Sequence, residues 1–98
     1  MKQITIDKDA IAKKIFRKIE AGAKKHSKYV GFTELAESKD VYLITIESDI
    51  NTAVIDLAYD AITTNDRAKL VQIVPYEGKF DWASDTYIKP CVVASFRF

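Results

Sequence analysis

The stretch from Ser38 to Thr64 (SKDVYLITIESDINTAVIDLAYDAITT) carries the longest regular hydrophobic pattern in the chain, and the other elements must pack around it. At 100° per residue, Leu43, Ile46, Ile50, Ala53, Val54, Leu57 and Ala61 fall within one narrow arc, while Thr45, Asp49, Thr52, Asp56, Asp60 and Thr63 share another. A buried stripe beside an acidic one predicts an amphipathic helix over about 39–64, with Ser38 or Asp40 as its cap. The segment Val41 to Ile46 (VYLITI) supports a different division, because β-branched and aromatic residues at this density favour a strand. On that alternative, Ser48 or Asp49 caps a shorter helix from Ile50 to Thr63. The unbroken phase of the stripe through Ser48 and Asp49 favours the long helix.

A second helix is expected ahead of it, from about 8 to 25. Asp7 or Asp9 can cap it, Ile11, Ala12, Ile15, Phe16, Ile19 and Ala23 form its apolar face, and Lys13, Lys14, Arg17, Lys24 and Lys25 lie opposite. Gly22 weakens the helix near its end by roughly 1 kcal/mol relative to alanine. Before it, Lys2 to Ile6 alternates as a short strand would. After it the periodicity fades, and Tyr29, Val30 and Phe32 around Gly31 read as anchors of a connector or a short strand.

The C-terminal third reads as strands: Lys69 to Tyr76, Lys79 to Trp82 and Thr86 to Phe98. Pro75 and Pro90 mark edges, ends or bulges, since proline cannot donate to a ladder. Glu77-Gly78 reads as a tight turn with glycine at positive φ, and Ala83-Ser84-Asp85 as another turn. The expected fold is therefore α+β: two helices, about 8–25 and 39–64, packed on a small, mostly antiparallel C-terminal β-sheet. Leu43, Ile46, Ile50, Val54, Leu57, Ile11, Ile15 and Ile19 should form its core. The 98 residues suffice for one such domain, 1–98, and not for two.

Charge is divided unevenly. Residues 8–28 carry eight basic side chains against Asp9 and Glu20, a net +6, whereas residues 29–98 carry six basic and eleven acidic ones, a net −5. The basic face (Lys13, Lys14, Arg17, Lys24, Lys25) could track a phosphate backbone, which makes a small nucleic-acid-binding module the alternative function. Aromatic residues do not interleave with it, and a solvated lysine face is the simpler reading. Asp49, Asp56 and Asp60 form the acidic face, which could hold a hard cation or pair with the first helix; a solvated face is again simpler.

Catalytic constellations do not emerge. The lone histidine, His26, sits among lysines, and no GxGxxG, Walker A, HExxH or GxSxG pattern occurs. Cys91 is the only cysteine, so no intrachain disulfide or thiolate metal cage is available. The chain reads as a non-enzyme with no catalytic residue, cofactor or metal. No apolar run reaches the roughly 18 residues of a membrane span, and MKQITID lacks a signal peptide's apolar core, so a soluble, intracellular protein without a membrane partner is expected.

Aromatic residues gather late, at Tyr76, Phe80, Trp82, Tyr87, Phe96 and Phe98. With the last strand placed at a sheet edge, Phe96, Arg97, Phe98 and Tyr87 become the expected interface for a protein partner. Head-to-tail pairing of the +6 and −5 regions between copies would extend such contacts into rings or filaments.

The opening I4-T-I-D7, a lysine-rich amphipathic helix, the S38-K-D40 entry into a long helix and a β-rich final third together resemble small structural proteins of phages and prophages of gut Bacteroidetes, of the head-to-tail connector or tail-component type. Such proteins often continue into a further helix where this sequence stops at Phe98. The resemblance implies a non-enzymatic protein that self-associates or docks with other assembly proteins, in the cytoplasm of the host cell or in the virion.

Overall fold

The computed structural model of the chain describes residues 7–27, 30–49 and 52–98. The lead-in strand from Lys2 to Ile6, the Lys28 charge, the Tyr29 anchor and the core position given to Ile50 lie outside those residues. The elements run α1 (Lys8–His26), β1 (Val30–Ser38), β2 (Val41–Ser48), α2 (Thr52–Thr63), β3 (Lys69–Tyr76), β4 (Lys79–Asp81), β5 (Thr86–Ile88) and β6 (Cys91–Arg97). Four strands form an antiparallel sheet in the order β1-β2-β6-β3, and β4 and β5 form a separate antiparallel pair. The class is α+β, with two helices on a mostly antiparallel sheet.

The boundary of the second helix differs from the sequence expectation. Val41–Ser48 is strand β2, and α2 begins only at Thr52. Ser38 and Asp40 cap no helix: Ser38 pairs with Val41 across a two-residue turn in which Lys39 takes a φ of 58°. Two strands of the sheet thus come from the N-terminal half. The physical reason is visible in β2 itself. Tyr42, Ile44, Ile46 and Ser48 are buried, while Val41, Leu43, Thr45 and Glu47 are half-exposed, which is the period of two that a pleated strand imposes. Leu43 and Ile46, neighbours on a helical stripe, consequently point to opposite faces of the sheet, and Leu43 leaves the core.

Both helices cover one face. α1 lies over β1 and β2, α2 lies over β6 and β3, and the two helices touch each other. Between them and the sheet sit Ala12, Ile15, Ile19, Val54, Ala58, Ile62, Ile44, Ile46, Ala94 and Phe96, with Ile11, Phe16 and Leu57 at the margin. Each large aliphatic or aromatic side chain buried in this way contributes about 1.5–3 kcal/mol. Gly22 allows the helices to approach: a Cβ there would stand 2.7 Å from both methyl carbons of Leu57. The local helix penalty expected from the sequence therefore accompanies a packing gain.

Polar bonds fix α1 at both ends. The Asp7 carboxylate accepts from Ala10 N–H at 3.1 Å as the N-cap. Asp9 accepts instead from the Tyr42 hydroxyl at 2.7 Å, and Glu20 accepts from the Thr33 hydroxyl at 2.8 Å, so α1 is tied to β2 and to β1. The bond to Asp9, aided by burial and by the charges of Asp9, Glu37 and Asp7, pushes the Tyr42 phenol up to about 12. Its ring stacks on Phe96 at 5.5 Å, and Phe98 meets both rings edge-on at 5.6 and 5.8 Å.

Candidate interaction surface

A single hairpin register runs from the body of the sheet to its far tip. In β3 and β6, Val74 stands opposite Val93, and Tyr76 opposite Cys91. Three residues further along each strand, Lys79 stands opposite Ile88 and Phe80 opposite Tyr87, with no residue gained or lost on either side. β4 and β5 are therefore the continuation of the β3–β6 hairpin. Its ladder is interrupted at Glu77-Gly78 and Lys89-Pro90, where Pro90 has no N–H to give. Glu77-Gly78 does not turn the chain, and no glycine among the described residues has positive φ. Gly78 supplies room instead: a Cβ there would collide with the Tyr87 hydroxyl.

Beyond that interruption the hairpin projects as an arm. β4 and β5 lie alongside each other and alongside no other helix or strand, with Tyr87 at the base reaching the cleft beside Glu47. The molecule measures 60 × 29 × 18 Å, and its radius of gyration of 14.9 Å exceeds the roughly 13 Å of a compact chain of this size. The reversal at 82–85 is built around Asp81, whose carboxylate accepts from Ala83 N–H at 3.1 Å and from the Ser84 hydroxyl at 2.9 Å, and Asp85 takes a φ of 53°. At the tip Trp82 is 84% exposed and meets the Phe80 ring edge-on, with ring centroids 4.5 Å apart. Tyr87, Ile88, Phe80 and Tyr76 are also exposed. Four large apolar side chains on one thin projection, with Tyr76 at its base, form the largest concentration of exposed aromatic surface among the described residues.

The body has a second uncovered region, the sheet face away from the helices. Residues directly opposite one another across a ladder share a face. The pairings place Val41, Leu43, Thr45 and Glu47 of β2 beside Arg97, Ser95, Val93 and Cys91 of β6, and those beside Lys69, Gln72, Val74 and Tyr76 of β3. Most are half-exposed, and Ser95 donates to the Gln72 carbonyl at 3.3 Å. Where this face meets the arm, Glu47, Ser48, Asp49, Tyr87, Lys89 and Pro90 line a cleft of about 220 Å³. Lys89 and Glu47 approach to 3.8 Å across it, and the buried Ser48 hydroxyl donates to the Asp49 carbonyl. Burial, and then the charge of Glu47, push the nearby Cys91 thiol above its ordinary value.

The interface expected from the sequence is thereby redistributed. Phe96 is fully buried under the helices and out of a partner's reach, whereas Phe98 is half-buried against the same core. β6 is an interior strand; the edges are β1 and β3, and Pro75 does lie on the edge strand β3. Arg97 is exposed at the end of the open face, and Tyr87 is exposed on the arm. Lys13, Lys14, Arg17, Lys24 and Lys25 all lie exposed on α1. Asp56 and Asp60 are exposed on α2, but Asp49 precedes that helix and belongs to the cleft, so the three do not share one helix face. Among the described residues, none of the five basic side chains forms an ion pair with Asp56 or Asp60. Sequence reasoning assigns no contact role to Trp82, Phe80, Leu43 or Val93; the signal that points to the arm is a tryptophan beside a polar turn (DWASD) between two very short strands.

Among the described residues no helix is long and apolar enough to cross a membrane, and no three histidine, cysteine or acidic side chains gather around a metal-sized space. No family model, curated protein or solved structure matches the chain.

Proposed function

We propose that this is a non-enzymatic assembly protein that acts by self-association or by docking into a larger complex, of the kind found in a phage or prophage particle, with the β4–β5 arm as its contact element. The observation that carries this reading is the 84% exposure of Trp82 at the tip of an arm that no helix covers. A two-stranded hairpin is marginal by itself in water, and buried aromatic anchors dominate the energetics of protein interfaces. An arm of this composition gains both order and apolar burial when a partner covers it. The Ser48 hydroxyl, buried and engaged by a backbone carbonyl, is no activated nucleophile, in keeping with a binding role.

Sedimentation velocity over a concentration series, at low and high salt, tests the proposal. The parent should associate, association should survive high salt, and a Trp82→Ala, Tyr87→Ala variant should sediment as a monomer with an unchanged far-ultraviolet spectrum. An assembly indifferent to those two substitutions would refute the arm as the contact.

A second reading rests on α1. Lys14 and Lys18 line a groove with Thr64 and Asn65 at the end of α2, and Arg67 lies beside Lys14 in the adjoining groove, so the cationic stripe continues across two elements. A nucleic acid bound there would dissociate steeply as salt rises. Charge removal at Lys13, Lys14 and Arg17 should then abolish retention on single- or double-stranded DNA; salt-insensitive retention would dismiss this reading.

A further inference from the structure

The cleft at the junction is assembled from both sides of it. Glu47 and Ser48 end β2 and Asp49 follows them, whereas Tyr87, Lys89 and Pro90 lie where the arm returns to β6. Two of the chain's three glycines make room for the lining side chains. A Cβ on Gly31 of β1 would collide with the Glu47 carboxylate, and one on Gly78 would collide with the Tyr87 hydroxyl and stand 3.0 Å from Cδ of Pro90. The Glu47 carboxylate on one wall and the Tyr87 and Pro90 rings on the other are thus each seated against bare backbone.

The lining selects what can enter. At about 220 Å³ the cleft is smaller than the roughly 300–1,000 Å³ of a site for a drug-sized ligand, and it suits one long side chain. Its charged groups are the carboxylates of Glu47 and Asp49 and the ammonium of Lys89. That ammonium marks the site as one that attracts a cation. It stands 3.8 Å from Glu47, beyond the hydrogen-bonding range of about 2.7–3.2 Å, on a side chain that is 51% exposed. A pair of this kind contributes little and yields to a cation that bonds the carboxylate directly. The Glu47 side chain is only 19% exposed, so such a bond is sheltered from water. The Tyr87 ring offers a flat face on which a guanidinium can stack while its N–H edge meets a carboxylate, and an ammonium has no such plane.

We propose that the cleft receives the guanidinium of an arginine side chain presented by a protein partner, which replaces the Lys89 ammonium, donates to the Glu47 and Asp49 carboxylates and stacks on Tyr87. The inference rests on the reading of this protein as one that docks with partners, and it names the chemistry that such a partner brings. A free amino acid would carry its own carboxylate into a site that already holds two, whereas an arginine within a peptide carries none. The arm then has two kinds of contact: aromatic side chains toward its tip and a socket for a cation at its base.

The amide resonances of the isotope-labelled full chain are followed by NMR during titration with N-acetyl-arginine amide, with its neutral analogue N-acetyl-citrulline amide, and with agmatine. The arginine compound should give saturable shifts centred on residues 47–49 and 87–91, the citrulline compound should bind at least about fivefold more weakly, and agmatine should bind no more tightly than the arginine amide. Glu47→Gln should weaken arginine binding by a similar factor, and Lys89→Gln, which removes the competing ammonium, should tighten it. Gly31→Ala keeps every charge and displaces only the Glu47 carboxylate, so it should weaken binding as well. Asp49→Asn, at an exposed position, is the second carboxylate variant in case Glu47→Gln does not fold. Shifts centred elsewhere, equal binding of the citrulline compound, or weaker binding by Lys89→Gln would overturn the site. Tighter binding of agmatine would overturn the protein partner as the source of the guanidinium. No saturable shift with any of the three compounds overturns the inference outright, while sedimentation of the parent decides the role of the arm separately.

Discussion

From Gln72 to Tyr76 and from Cys91 to Ser95 the long hairpin belongs to a sheet covered by two helices on one face, whereas from Lys79 to Ile88 the same two segments, in the same register, stand in solvent. The backbone pattern is shared, and only the side-chain surroundings change. Phe96 and Trp82 mark the extremes, one fully buried and the other 84% exposed. The difference shows that the packed core and the exposed aromatic surface lie at different ends of one supersecondary unit. The sheet is specified where side chains alternate against helices, and the arm is specified only by its turn and by cross-strand pairs.

The comparison is most severely tested by paired truncations. Phe96→Ala removes a ring stacked on Tyr42 in a sealed core and should cost about 3–5 kcal/mol, a large part of the total stability of a small domain. Denaturant unfolding of that variant beside Trp82→Ala, at concentrations where the chain is monomeric, should separate them clearly. The arm variant should lie within about 0.5 kcal/mol of the parent, and a comparable loss in both would mean that the arm is part of the cooperative body.

The next effect in size concerns the body alone. The Tyr42 phenol titrates near 12 when folded and near 10 when unfolded, so the neutral form is favoured in the native state. Its contribution is fully present below pH 10 and is lost as the pH rises from 10 through 12. Melting temperatures between pH 8 and 12 should fall over that window, and Tyr42→Phe should flatten that part of the profile while lowering stability at pH 8. Exposed Tyr76 and Tyr87, by contrast, should tolerate the same change without altering the melting curve of the monomer.

The smallest effect compares two turns. Lys39 in the body and Asp85 in the arm both hold left-handed backbone, with φ of 58° and 53°. Lys39→Gly relieves strain within the cooperative sheet and should raise stability by up to about 1 kcal/mol. Asp85→Gly relieves strain in an arm outside the helix-covered core, and thermal melting of the monomer should not register it.

Several of these features are legible in the amino-acid sequence. α1 follows its apolar face residue by residue, Asp7 caps it, and Thr63 to Asp66 close α2, with the Thr64 hydroxyl donating to the Asp60 carbonyl at 2.5 Å. The segment 41–48 misleads because an alternating strand with apolar residues on both faces also satisfies a 100° stripe over two turns. Leu43 fits that stripe while facing away from the core, and here β-branched propensity is the sounder guide. Local pattern draws Phe96 and Phe98 to an interface because strand order is not written in it. That β6 lies between β2 and β3 follows from long-range pairing alone. The arm is harder still, since nothing in a short strand's composition states whether another layer will cover it.

The unbroken register has one more consequence, for how such a chain can change length. Successive side chains on a strand alternate between sides, so deleting one cross-strand pair from the interruption at Glu77-Gly78 and Lys89-Pro90 would swing Phe80 and Tyr87 to the opposite side of the hairpin from Val74 and Val93. Deleting two pairs would restore them. The arm can therefore be shortened or extended without reversing its chemistry only in steps of two residues per strand, or about 6.6 Å of reach.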